Sequence, residues 1–174
     1  MTFVNIAEAI PALNRLQADG IVENYAVGGD AAASLYLESV SPRHVDVFVG
    51  LKPEPGKLIV DPAPIFKYLL ERGAIIEGAH LRIDDTPLLF VPPPTPLLEE
   101  AMLQAIARDF DGEPGRVFSA DHLAAIAFQS GRANARLLDY IAAGVLDVDR
   151  FTAIVTRHNL LDRWREFLRN QPWR

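Results

Sequence analysis

The apolar positions of this chain fall first at helical and then at strand spacing. Ile6, Ile10, Leu13 and Leu16 follow Asn5 and Glu8, a pair placed as a capping box, so the pattern predicts an N-terminal helix. Pro11 is expected to kink or restart that helix, and Asp19-Gly20 to close it. Ile21 to Val27 reads as a strand running into Gly28-Gly29, with Asp30 placed to cap a helix over Ala31 to Leu37. In the next strand, His44 to Val49, Val45, Val47 and Val49 share one face while His44, Asp46 and Phe48 share the other.

Gly50 to Gly56, with two prolines, reads as a surface loop, and a short helix follows through Ile65, Tyr68, Leu69 and Arg72 to Gly73. Ala74 to His80 is expected as one strand, with a hairpin of Leu81 to Asp84 and Pro87 to Val91 turning at Asp85-Thr86. Thr95 and Pro96 suit the N-cap and first position of a helix running to about Arg108. Asp109 to Pro114, polar and holding Gly and Pro, is the best boundary in the chain. Beyond it the signals are helical: Ser119 caps one helix, Arg132 to Ala143 forms another, Asp149 caps a third, and Leu161 to Leu168 makes the last. The predicted organisation is an α+β core over residues 1–110, a mixed sheet flanked by helices, followed by a C-terminal helical domain over 115–174.

Composition narrows this picture. Apolar residues at 49% and charged residues at 23% are ordinary for a globular chain. No cysteine is present, which excludes a disulfide scaffold, a thiolate metal site and a thiol nucleophile. Neither a signal-peptide pattern nor eighteen consecutive apolar residues occurs, so a cytoplasmic protein with no membrane association is expected. The net charge of -6 is uneven, with 8 Lys/Arg against 16 Asp/Glu through residue 112 and 9 against 7 beyond. An acidic body disfavours long nucleic acid, while the arginine-rich end allows a small anion, a polyphosphate or an acidic protein partner.

Two features carry chemistry. A strand that ends in Gly28-Gly29 and passes into a helix gathers free backbone N–H groups where phosphate binds well. Asp46 places a carboxylate in an otherwise apolar strand, which is costly unless the charge is solvated, paired or bound to metal. Alone, the glycines suit any tight turn and Asp46 suits a half-exposed edge; together their spacing lets nest and carboxylate sit side by side at one end of a sheet. Arg132 and Arg136 form an i,i+4 basic pair that fits either a phosphate across a cleft or a solvated helix face. Ser34, Ser39 and Ser41 lack a nucleophile-elbow turn, and His80, His122 and His158 are scattered, with His122 expected as capping and solvent contact. Leu161, Trp164 and Leu168 form one stripe with Phe167 beside it, and packing explains them better than nucleic-acid binding does.

Tyr25-Ala26-Val27-Gly28-Gly29, Arg43-His44-Val45-Asp46-Val47-Phe48-Val49, Pro94-Thr95-Pro96-Leu97-Leu98-Glu99-Glu100-Ala101, Gly131-Arg132 and Arg157-His158-Asn159-Leu160 together resemble the nucleotidyltransferase superfamily of the DNA-polymerase-beta type, in particular its small bacterial and toxin-like members. The resemblance implies a glycine pair on the nucleotide phosphates; Arg43, Arg132 and Arg136 are the basic residues expected to join it at the nucleotide. It also implies an acid-x-acid strand holding the metals and a third carboxylate from a later strand. Here the acid-x-acid strand maps onto His44-Val45-Asp46, so the first acid is His44, and Leu88 to Val91 supplies no third acid. Asp84 and Asp85, in the preceding turn, and Glu100 are the candidate substitutes.

Asp46 is therefore the expected metal ligand, with Asp46 and His44 as the catalytic pair. A His at this position suits Zn²⁺ or Mn²⁺ better than Mg²⁺, and its ordinary pKa of about 6.5 suits a general base. The expected function is a degenerate nucleotidyltransferase-fold protein that binds a nucleotide or a partner protein, such as a neighbouring antitoxin, without efficient catalysis. The alternative is an active transferase moving NMP from an NTP with Mg²⁺ or Mn²⁺; without activity no cofactor is expected.

Overall fold

The computed structural model describes residues 4–56, 60–131 and 134–172. Its first element, α1 (Ile6–Ala18), is capped by the Asn5 side chain, which accepts from Ala7 N. Glu8 closes no capping box. Its Oε2 accepts instead from Thr86 Oγ1 at 2.8 Å, and that fully buried hydroxyl ties the start of α1 to the sheet. Pro11 lies inside α1 without breaking it. The missing backbone donor is outweighed by packing, since Ile6, Ala9, Ile10, Ala12, Leu13 and Leu16 are all buried.

β1 (Asn24–Gly28) leads into α2 (Gly29–Ala33) and then β2 (Val45–Gly50). α2 is shorter than expected, and Asp30 sits in its first turn, with Gly28 at the N-cap. Val45, Val47 and Val49 are buried as the alternation predicts. α3 (Ala63–Leu70) is followed by β3 (Ile75–Glu77), β4 (His80–Ile83) and β5 (Thr86–Val91). The single strand expected over Ala74 to His80 is broken at Gly78, and the next turn falls on Asp84-Asp85, because Thr86 already pairs with Ile83.

α4 (Pro96–Leu103) starts as expected, with Thr95 Oγ1 accepting from Leu98 N at 3.2 Å, but it stops five residues before Arg108. The chain reverses into β6 (Ile106–Phe110) and β7 (Glu113–Val117), an antiparallel pair turning at Asp111-Gly112. Asp109 to Pro114, expected as a boundary, is this hairpin. β7 joins the sheet parallel to β1 through Val27 and Val117. A side chain at Gly115 would come within 2.6 Å of Ile10 Cδ1, so the bare backbone there is what lets α1 pack on the hairpin.

The seven strands form one mixed sheet in the order β3-β4-β5-β2-β1-β7-β6, with β2 parallel to β5 and antiparallel to β1. The helices that follow are α5 (Ala120–Ser130), α6 (Ala135–Ala142), α7 (Val148–Arg157) and α8 (Leu161–Arg169). Ser119 caps α5 as expected, whereas Asp147 rather than Asp149 caps α7, accepting from Arg150 N at 3.1 Å. Phe128, Phe151, Trp164 and Phe167 pack edge-on or stacked into one aromatic core, which accounts for the C-terminal aromatics as packing. Trp173 lies outside the described residues. Among the described residues no helix is long and apolar enough to cross a membrane.

Candidate functional site

Gly28 and Asp46 face each other across the β1–β2 ladder, so the expected pairing of glycine turn and carboxylate is realised. Gly28 must be bare because a Cβ would sit 2.6 Å from a ring carbon of Phe48 and 2.7 Å from one of Phe118. Gly29 has φ +57, and its Cβ would sit 2.0 Å from Asp46 Oδ2. Only glycine meets both demands, which brings the Asp46 carboxylate directly against the backbone of the turn.

The other Asp46 oxygen, Oδ1, lies 3.1 Å from His44 Nε2, with side-chain exposures of 21% for Asp46 and 35% for His44. Burial pushes the Asp46 carboxyl above the usual carboxylate range, the charge of nearby Asp30 adds to that, and His44 opposes it. His80, treated in the sequence as one of several scattered histidines, stacks obliquely on His44 with ring centroids 4.9 Å apart. It arrives there through the β4–β5 pairing, a non-local register that leaves no trace in the local sequence.

On β5 the residue paired with Asp46 is Leu89. Of the carboxylates considered as substitutes, Asp84 and Asp85 lie in the turn between β4 and β5, away from the Asp46–Leu89 register, and Glu100 has other partners. Asp85 precedes Leu89 by four residues, about 13 Å by the rise of a strand, and Asp85 faces Arg82 at 3.9 Å. Glu100 is held by Arg157 and His122, with His158 Nε2 3.3 Å away. Among the described residues no group of three or more His, Asp or Glu side chains is placed to hold a metal ion. A pair of Mg²⁺ ions needs several shared carboxylate oxygens, and one aspartate hydrogen-bonded to an imidazole, with leucine alongside, does not fit that demand.

Beside the turn opens a cleft of about 500 Å³ between the sheet and the C-terminal helices. Phe48, Leu98, Phe118, Leu123 and Tyr140 give it apolar walls, and Asp30 and Arg136 are its charged lining. Arg136 Nη1 stands 3.5 Å from Asp30 Oδ1 across the opening, with side-chain exposures of 36% for Arg136 and 64% for Asp30. Of the other basic residues expected at the nucleotide, Arg43 is exposed beside His44, and Arg132 lies outside the described residues. The aromatic walls escaped the sequence reading because Phe48, Phe118 and Tyr140 each look like ordinary core residues until three elements meet.

The fold has counterparts among solved structures. An antigenic nucleotidyltransferase-like protein from Paracoccidioides brasiliensis superposes with a TM-score of 0.56 at 14% identity, covering 80% of this chain and 75% of that one. ANT(2'')-Ia in complex with adenylyl-2''-tobramycin superposes with a TM-score of 0.51 at 15% identity, covering 91% and 98%. No protein-family profile matches the chain, and no curated protein sequence matches it. The chain has a nucleotidyltransferase-type fold: a mixed sheet with flanking helices and a helical C-terminal part.

Proposed function

We propose that this protein is a nucleotidyltransferase-fold protein that takes a nucleotide in the cleft beside Gly28-Gly29 without efficient nucleotidyl transfer. The observation that carries the reading is the composition of the strand positions around Asp46. His44 stands where the fold's first acid is expected, and Leu89 pairs with Asp46 on β5. Asp46 alone supplies too few oxygens to offset the repulsion between two divalent ions. The cleft itself supports binding, since apolar and aromatic walls with a few charged groups are the usual make-up of a small-molecule site. Arg136 is the cation within it that an anionic group would meet.

The alternative, metal-dependent transfer of NMP from an NTP, draws on the one retained acid and its contact with the glycine turn. A thermal-shift series separates the two, using wild type and Asp46→Ala with each NTP in Mg²⁺, Mn²⁺ or chelator. Expected is a nucleotide-dependent rise in melting temperature that persists in chelator and in Asp46→Ala, without pyrophosphate release. A shift that needs metal and disappears in Asp46→Ala supports the active enzyme. The absence of any shift at millimolar nucleotide sinks the nucleotide reading.

A further inference from the structure

Away from the glycine turn, one carboxylate joins three helices. Glu100 on α4 accepts from Arg157 Nε of α7 at 2.8 Å through Oε1, and its Oε2 lies 3.0 Å from His122 Nε2 of α5. His158 Nε2, also buried, stands 3.3 Å from the same Oε2 without a hydrogen bond. His122 is fully buried, and its Nδ1 lies 2.8 Å from Ser119 Oγ. Ser119 Oγ accepts from the His122 backbone N–H at 3.2 Å, which leaves its own proton to donate to Nδ1. With Ser119 donating to Nδ1, the ring proton sits on Nε2 and donates to Glu100, the neutral form that burial of His122 favours. Asp121, Arg150 and Asp147 are the other charged groups around this cluster, and they pair among themselves: Asp121 accepts from Asp147 N at 2.9 Å and faces Arg150 at 3.8 Å.

The position of this cluster gives it a role. Leu98, two residues before Glu100 on α4, lines the cleft, and so do Leu123, Ile126 and Ala127, which follow His122 on α5. We propose that Glu100 is a positioning residue for the cleft: by clasping α4 to α5 and α7 it sets the separation of the cleft walls, and so the fit of the ligand. The statement about the ligand rests on the nucleotide reading above; the statement about the walls does not. Across the other side of the opening, only the exposed Asp30–Arg136 pair spans the gap by ion pairing among the described residues, and exposed pairs hold weakly. The clasp is the stiffer of the two constraints, since two charge-assisted hydrogen bonds converge on one carboxylate and one of them comes from the fully buried His122.

The chain contains no cysteine, so spin labels can be placed cleanly at Ser39→Cys and Gln129→Cys, both exposed, after α2 and at the end of α5. Label-to-label distance distributions are compared in the otherwise unchanged chain, in Glu100→Gln, and in Arg157→Gln, which changes only the exposed rim of the clasp. Leu16→Ala, on the buried face of α1, serves as a destabilised control with the clasp intact. The expected result is a longer and broader distribution in both clasp variants and an unchanged one in the control, with nucleotide affinity falling about tenfold in Glu100→Gln. If Glu100→Gln does not fold, Arg157→Gln decides. An unchanged distribution in a folded clasp variant overturns the proposal. A shifted distribution in a chain that binds no nucleotide sinks the ligand reading and supports the clasp as the lock on the cleft.

Discussion

Asp46 carries its charge at a cost to folding. Its carboxyl titrates above the ordinary carboxylate range because burial outweighs the help from His44. A folded-state pKa raised above the unfolded one means that the folded chain binds the proton more tightly, so the ionised form present at neutral pH destabilises the fold. Asp46→Asn is therefore expected to melt at a higher temperature than wild type at pH 7, with the difference shrinking as pH falls toward the carboxylate range. A lower melting temperature for Asp46→Asn would show that the His44 contact outweighs burial.

The neighbouring residues divide by how much the chain itself disclosed. Gly28-Gly29 and Asp46 were legible because a strand, a tight turn and a returning strand impose fixed spacing. His80 beside His44 was not, since their meeting depends on two strand pairings, β4 with β5 and β5 with β2. His122 was misjudged for the same reason. A histidine three residues after a capping serine suits a solvated first turn, and only the packing of α4 and α7 over it makes it fully buried.

At the scale of elements, the largest departure is the β6–β7 hairpin. Ile106 to Arg108 continues α4 closely enough to read as more helix, while Asp109 to Pro114 reads as a boundary loop. What makes them a strand is the free side of β1, which β7 completes, and the close approach of Ile10 and Phe110 over Gly115. Gly115→Val is accordingly expected to unfold the chain at markedly lower urea, by about 1–3 kcal/mol as overpacking typically costs. Ile10→Ala should recover part of that loss in the double variant by vacating the colliding position. Strict additivity of the two changes would refute the account of α1 docking on the hairpin. Pro11 teaches the converse lesson, because an element with six buried apolar residues tolerates a residue that local propensity alone forbids.

For the whole molecule, the Glu100 clasp makes stability sensitive to acid. Burial pushes the Glu100 carboxyl up, but hydrogen bonds and charge from Arg157 and His122 outweigh it and hold it down to about 2, against an ordinary 4.5. The stabilisation from this group is fully present above about pH 4.5 and is lost as pH falls toward 2, a total of about 3 kcal/mol by proton linkage. Burial likewise depresses His122, so the folded chain resists its protonation and loses stability as pH falls below the ordinary imidazole value. Urea unfolding at pH 7, 5.5, 4 and 3 should therefore show falling stability across the series, with a shallower slope below pH 4.5 in Glu100→Gln. A variant whose pH profile parallels wild type there would place the acid sensitivity elsewhere.

The sequence by itself determined the alternation of β2, the caps at Asn5, Thr95 and Ser119, the glycine turn with Asp46 one strand away, and the α+β order of the chain. Each of these is set within a few residues, by side-chain period, cap chemistry or the conformations that glycine allows. Tertiary structure alone decided that 106–117 is a hairpin and that His80 joins His44. It also placed Leu89 beside Asp46, enclosed the cleft between sheet and helices, and seated Glu100 among Arg157, His122 and His158. Those outcomes depend on pairings between residues far apart in the chain, where the burial of a whole face outweighs the preference of any single segment.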